Sequence, residues 1–331
     1  MLKNLTSQSL SLRFSIFFVS IIAIVYYPFL QFFSGKWEAR PTVTLITFEQ
    51  IKNYSFLNNS FVDGLLDFLQ QNGIDSFGFR YYSLMLFVGI TIAFYLLIYF
   101  FQKISIYGII AEKTFITLLI LGLIGTRLLF VLLNYNYYFS KPIEIINFQQ
   151  GGLSLYGGII IVSLYLLLVA KKTQTNYRSL LDALTPSCLM IMIWARFGNF
   201  FNYESYGQAT ALPWKMYVPE GAVINNRYNI GENLELFYHP LFLYEILFNI
   251  ILFLLISYFY DFVTIYYRGF ITGFFIIAYG VLRFLLEYIR LDVNRINDLL
   301  TVGQVFSLAG ILAGLILVFL AVKDRLNLSP K

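Results

Sequence analysis

Apolar runs of membrane-crossing length recur along this chain, separated by short polar stretches, and this alternation predicts a bundle of helices in lipid. A spanning helix needs about 20 mostly apolar residues. Residues 14–33, 81–101, 153–170 and 302–322 contain no charged side chain. Four further runs reach that length only with charge inside them: 115–133 around Arg127, 183–203 around Arg196, 241–260 around Glu245, and 269–289 around Arg283 and Glu287. The pattern predicts an all-α membrane protein of about eight transmembrane helices. Seven form a core over 80–322, and an extra helix lies in 1–33. Between them, 34–79 reads as an extracytoplasmic segment with a short amphipathic helix near Phe61–Leu69. Residues 205–240 hold Pro213, Pro219, Gly221 and Gly231 among aromatics and read as a small extracytoplasmic cap, and 323–331 is a polar tail.

The first run follows Lys3 and Arg13, as a secretory signal would, but it exceeds the roughly 7–15 residues of a signal core and lacks a small-x-small cleavage site after it. It is read as a retained anchor. Orientation follows from the bias of Lys and Arg toward cytoplasmic loops. With Met1 inside, the inner segments hold Lys3, Arg13, Lys103, Lys113, Lys171, Lys172, Arg178, Arg268, Lys323, Arg325 and Lys331. The short outer loops hold Lys141, Arg290 and Arg295. Both termini are therefore expected in the cytoplasm.

Composition agrees with lipid burial. The chain is 59% hydrophobic and 12% charged, against roughly 25% charged residues in a soluble domain. The net charge of +5 is too diffuse for a nucleic-acid partner. One cysteine, Cys188, and one histidine, His239, leave no disulfide and no Cys- or His-based metal site to expect. No nucleotide-type glycine loop is present, so no cofactor is expected. A transporter would account for buried charge as a substrate path, but the chain lacks the two similar halves and the paired broken helices of that class.

An ionisable residue inside a span is a functional-site hypothesis that needs a partner. Tyr279, Arg283, Glu287 and Arg290 recur at helical spacing, so Arg283 and Glu287 can pair, as a site or as an interhelical clamp. The run from Arg196 to Gly207 is denser: Arg196, Asn199 and Tyr203 share a helical face, and Asn202 and Glu204 follow at its outer end. Gly151-Gly152 and Gly157-Gly158 flank Leu153-Ser154-Leu155-Tyr156 at a helix entry, suited to tight packing or to close approach of a lipid. His239-Pro240 opens the next helix, where a lone histidine serves more often as a structural partner than as a catalyst. Cations and amides gathered near one leaflet suit a phospholipid head group, because Arg grips phosphate through a planar fork of donors.

These residues resemble a known family. Arg196-Phe197-Gly198-Asn199-Phe200-Phe201-Asn202-Tyr203-Glu204-Ser205-Tyr206-Gly207 is similar to the signature Arg-x-Gly-Asn-Phe-x-Asn-x-Glu-x-x-Gly of prolipoprotein diacylglyceryl transferases. Asp182 and Pro186 precede it and Pro213-Trp214 follows it, as in that family. In family order come Tyr82-Ser83-Leu84-Met85, Gly125-Thr126-Arg127, the two Gly-Gly pairs, His239-Pro240 with Tyr244-Glu245, Tyr279 through Arg290, and Gly303-Gln304. The resemblance covers residues 80–322.

It implies transfer of the diacylglyceryl group of phosphatidylglycerol to the lipobox cysteine of a preprolipoprotein signal peptide, in a bacterial inner (cytoplasmic) membrane, at the outer leaflet. Arg196 and Arg283 would hold the phosphate. Tyr156 and Glu204 complete the implied catalytic set, and Tyr82, Asn199, Asn202, Gly207, Tyr279, Glu287, Gly157, Gly158 and His239 the implied binding set. One departure stands out. Tyr156 occupies the place of a family histidine proposed to activate the thiol, and a phenol with pKa near 10 is a poor base for a thiol near 8.5. Three routes stay open: arginines that lower the thiol pKa, a proton acceptor such as Glu204 or His239, or a non-catalytic paralogue that binds lipid or lipoprotein.

Overall fold

The computed structural model describes residues 42–47, 67, 76–146, 151–218, 237–291, 293 and 300–328. The expected first helix over 14–33 lies outside them, and of the expected helix near Phe61–Leu69 only Asp67 is described, in helical conformation. Among the described residues eight α-helices of more than one turn follow in order: α1 Tyr81–Lys103, α2 Ile109–Leu133, α3 Tyr135–Ser140, α4 Leu155–Thr173, α5 Tyr177–Phe201, α6 Leu241–Tyr266, α7 Phe270–Leu286 and α8 Val302–Leu328. Six are long and apolar enough to cross a membrane, and α7 is a shorter apolar helix. All seven charge-poor or charge-bearing runs after residue 80 thus form helices where the hydrophobic pattern put them.

Two antiparallel pairs of strands were not expected. β1 Thr42–Thr47 pairs with β2 Ser76–Arg80, with a register shift between Thr44 and Ile46, and β3 Met216–Tyr217 pairs with β4 Phe237–Tyr238.

The chain divides into two compact units, one of Met1–Met85, Ala195–Glu245 and Leu285–Arg295, the other of Leu86–Trp194, Ile246–Phe284 and Ile296–Lys331. The second unit has its core among α1, α2, α4, α5, α6 and α7, around Leu97, Phe101, Leu166, Leu180, Leu189, Leu252 and Tyr260. Its outer faces carry exposed Leu, Ile and Phe, such as Ile120, Leu164, Leu254 and Phe319. That inversion of the soluble pattern is what a hydrocarbon solvent permits.

Lipid tails are as apolar as leucine, so helices in a bilayer associate through close packing of small residues. Here α2 and α4 meet at Gly125 and Gly157. A Cβ on Gly157 would collide with the carbonyl oxygen of Gly125, and one on Gly158 would come within 2.8 Å of Thr126 Cγ2. The second Gly-Gly pair is accordingly a helix-packing surface. The crossing of α7 and α8 uses the same device, since a Cβ on Gly314 would lie 2.8 Å from Gly273 O.

Buried charge in this unit is absorbed by backbone. Arg127, only 3% exposed, donates from Nε to Ile145 O (2.9 Å), from Nη2 to Glu144 O (2.6 Å), and from Nη1 to Gly151 O (2.7 Å) and Gly152 O (3.0 Å). Its partners are carbonyls of the α2–α4 connection, which makes it a clamp on that loop. On the same connection the Tyr137 hydroxyl donates to Glu144 Oε2 at 2.5 Å and holds the Glu144 carboxyl below the usual carboxylate range.

At the other ends of these helices Asp182, fully buried in α5, accepts from Gly269 N (2.6 Å), Thr272 N (2.8 Å) and Thr272 Oγ1 (2.9 Å). It caps the first turn of α7 from a neighbouring helix and places negative charge at the positive end of the α7 dipole. Nearby, Lys103 pairs with Asp261 at 2.5 Å, Arg178 pairs with Asp324, and Arg325 lies over the Tyr266 ring.

Asp182→Ala strips acceptors from buried N–H groups of α7 and is expected to cost about 2 kcal/mol or more. The measurement is the unfolding midpoint of the purified protein in mixed micelles, and a variant as stable as the parent would contradict the capping role.

Candidate active site

The signature run ends α5 and turns out of it. The helix stops at Phe201, not at Tyr203 as the periodicity suggested. Glu204 N bonds Asn199 O at 2.9 Å and Tyr203 N bonds Phe200 O at 3.2 Å. This is the double bond of a Schellman terminus, which requires a left-handed residue after the cap. Glycine usually takes that position; here Tyr203 takes it, with φ +51°, and Ser205 repeats the left-handed conformation at φ +61°. Tyr203 therefore leaves the face shared by Arg196 and Asn199. The expected face at α7 shortens in the same way: the helix ends at Leu286, Glu287 lies in the following turn, and Arg290 pairs its backbone with Gly207.

The turn brings Ser205 back to Arg196, whose Nη1 donates to Ser205 Oγ at 3.3 Å. Arg196 Nη2 pairs with Glu245 Oε2 at 2.6 Å, with Glu245 only 1% exposed and the Arg196 side chain 19% exposed. A carboxylate this buried persists only beside a cation. Tyr82, at the start of α1, stands in the fields of Glu204 and Arg196. It lies flat on α5 because residue 198 is glycine: a Cβ there would come within 2.7 Å of Tyr82 Cδ2. Asn202 Nδ2 donates to the exposed Glu204 at Oε1, 3.4 Å.

Backbone pairing holds this turn from both sides. Gly207 N bonds His239 O (2.8 Å), Gln208 N bonds Ile289 O (2.8 Å), His239 N bonds Gln208 O (3.0 Å) and Phe242 N bonds Ser205 O (3.0 Å). A Cβ on Gly207 would sit 2.6 Å from Ile289 O, so close backbone approach is the reason for this glycine. His239 Nδ1 meets the Tyr244 hydroxyl at 3.1 Å, and that hydroxyl accepts from Trp214 Nε1 at 2.9 Å.

The second unit carries the remaining candidates. Tyr156, on the first turn of α4, is 43% exposed, and its ring packs on Phe306 with centroids 4.4 Å apart. The charge acting on its hydroxyl is that of Arg283. Tyr279, one turn before Arg283, stacks on Phe275 at 6.2 Å.

The first unit thus gathers Tyr82, Arg196, Asn202 and Glu204, and in the second Tyr156 lies within the field of Arg283. Gly157, Gly158 and Gly207 serve packing in the geometry seen. Two partners of Arg196, Glu245 and Ser205, stand within the quoted motifs but were not among the expected site residues. Glu245 had a signal, a carboxylate inside an apolar run, but nothing in the sequence says which cation answers it. Ser205 fills a variable position of the signature.

Spans packed through glycine contacts, with charges paired inside, define a multi-pass α-helical membrane protein. The chain belongs to the prolipoprotein diacylglyceryl transferase family, whose model matches residues 72–320. It is 34% identical over 257 residues to the phosphatidylglycerol–prolipoprotein diacylglyceryl transferase of Fervidobacterium nodosum, covering 76% of this chain and 84% of that protein. The proteins of the same name from Finegoldia magna and Clostridium novyi are 32% identical over 249 residues and 30% identical over 246, covering 74% and 72% of this chain and 91% and 90% of theirs.

Glu245→Gln keeps the shape of the side chain and removes its charge. It leaves Arg196 without its counter-ion, and the expected loss is about 3 kcal/mol, the low end for a broken buried pair because Arg196 retains some solvent. Thermal unfolding in detergent reads this directly; an unchanged midpoint would mean the pair contributes nothing.

Proposed function

We propose that this protein transfers the diacylglyceryl group of phosphatidylglycerol to the lipobox cysteine of preprolipoproteins, forming a thioether and releasing glycerol phosphate. The observation that carries the reading is the Arg196–Glu245 pair at the Schellman turn of the family signature, with Tyr82 and Glu204 beside it. The thiol sulfur attacks the glyceryl carbon and the carbon–oxygen bond to phosphate breaks, so negative charge grows on the departing phosphate. Preorganised guanidinium donors stabilise charge that develops in this way. Arg196, held by Glu245 and Ser205, is one such donor in this reading, and Arg283 is the other. Glu204, Asn199, Asn202, Tyr82, Tyr279 and Glu287 are proposed to shape the pocket, and His239 to support the loop.

The same reading puts the core at 80–322, with 34–79 and the cap 205–240 outside the cell membrane and both termini in the cytoplasm. The cluster of Lys103, Arg178 and Arg325 at one end of the helices supports that orientation. The membrane is then the bacterial inner membrane, and the signature turn faces its outer leaflet.

A second reading, a paralogue that binds lipid without turnover, is favoured only by Tyr156 in place of histidine. An in vitro assay with purified protein, phosphatidylglycerol and a lipobox peptide separates the two. Thioether formation is expected, falling about 10²–10³-fold in Arg196→Ala and in Arg283→Ala. The double variant should lose less than the product of the two single losses if both guanidiniums act on one phosphate. Folded wild-type protein that makes no thioether, yet gains the activity on Tyr156→His, would establish the paralogue instead.

A further inference from the structure

We propose that the α2–α4 connection is embedded in the membrane, with Phe139, Ile143 and Ile146 set among lipid acyl chains. The inference rests on the multi-pass fold and is independent of the transferase reading.

Depth follows from backbone geometry. Between Lys113 and Leu133, Arg127 is the one charged residue of α2. That stretch rises about 30 Å, the thickness of the hydrocarbon layer, so α2 ends near one edge of it. From there the chain passes through α3 and the 3₁₀ turn Pro142–Ile146 and returns along the side of α2. Tyr138 of α3 packs its ring 5.1 Å from the Arg127 guanidinium and 6.3 Å from the Phe130 ring. A Cβ on Gly152 would lie 2.6 Å from Phe130 Cε1, and Ser154 N bonds Thr126 O at 2.9 Å. Thr126 stands two helical turns before the end of α2, about 10 Å deeper along its axis. The connection is therefore folded against the last two turns of a span.

Backbone at that depth must find its hydrogen bonds within the protein. Arg127 supplies them to the carbonyls of Glu144, Ile145, Gly151 and Gly152. The polar side chains hold one another, with the Tyr137 hydroxyl donating to Glu144 and Lys141 Nζ 3.6 Å from the same carboxylate. The apolar side chains stay outside these ties. Phe139 is 89% exposed, Ile143 76% and Ile146 70%, each more bare than Ile120 on the outer face of α2. Leu128, Leu132 and Leu133 are exposed on the α2 turns that the connection packs against, so the bare surface continues the lipid-facing side of that helix. Large apolar side chains exposed together mark a contact surface, and lipid is the contact the adjoining span already makes. Exposed Tyr135 and Tyr137 suit the level where hydrocarbon meets head groups.

The test places a single cysteine in the full chain carrying Cys188→Ala, labels it with bimane and reconstitutes the protein in vesicles. Phe139→Cys and Ile143→Cys probe the connection. Ile120→Cys on the exposed face of α2 and Lys172→Cys at the exposed end of α4 are the lipid and water references. The vesicles contain phosphatidylcholine brominated on its acyl chains, and iodide on both sides of the membrane is the aqueous quencher. Labels at 139 and 143 are expected to lose fluorescence to brominated lipid as strongly as the label at 120. They should lose little to iodide, in contrast to the label at 172. Iodide quenching equal to that at 172, at either position, overturns the proposal. So does protection from both quenchers, which would mean that protein covers this surface, as in a contact between two copies. The two positions are read independently, so a label that unfolds the protein at one leaves the other to decide.

Discussion

A cation that sits in an apolar setting must have its charge answered locally, and the Arg196–Glu245 pair is where this fold meets that demand. The two ions are 2.6 Å apart with the carboxylate almost wholly buried. Removing either would strand the other at a cost of several kcal/mol, so the end of α5 and the start of α6 are tied together. The Schellman turn after Phe201 then has one place to go: it swings Ser205 onto the same guanidinium and hands its backbone to His239 and Ile289. Glu204 is left at the exposed corner of a turn fixed on both sides.

The remaining buried charges are handled by other means, and the contrast separates support from function. Arg127 gives four hydrogen bonds to carbonyls of one loop, an arrangement with a mechanical purpose. Asp182 does the reverse, offering a carboxylate to the open N–H groups of α7. Both convert an expensive ion into an anchor for backbone that would otherwise lie unsatisfied in hydrocarbon. Arg196 differs, since it meets side chains, Glu245 of α6 and Ser205 of the turn, and Gly198 on its own helix admits the Tyr82 ring. Helix packing through Gly125, Gly157, Gly273 and Gly314 supplies the stiffness around these anchors. In lipid no hydrophobic force draws the helices together, and small residues allow the close backbone approach that replaces it.

The seven apolar helices after residue 80, six of them long enough to span a membrane, were legible from hydrophobic period alone, because only a helix satisfies its own backbone within one segment in hydrocarbon. The polar run around Arg196 stood out too, since polar residues at that density inside an apolar run are costly to bury and point to a ligand or a partner; Tyr82, which the fold brings beside it, came only with the family resemblance. Helix ends were not: Tyr203 and Glu287 looked helical by spacing, yet capping bonds to Asn199 O and Phe200 O, and the turn after Leu286, decided otherwise. Nor could spacing reveal that Glu245 answers Arg196, that Arg127 is absorbed by carbonyls, or that Gly207 is there for neighbouring backbone. Local sequence dictates where the chain must be helical and which groups are costly to bury; which partner meets each cost depends on chain segments brought together only by folding.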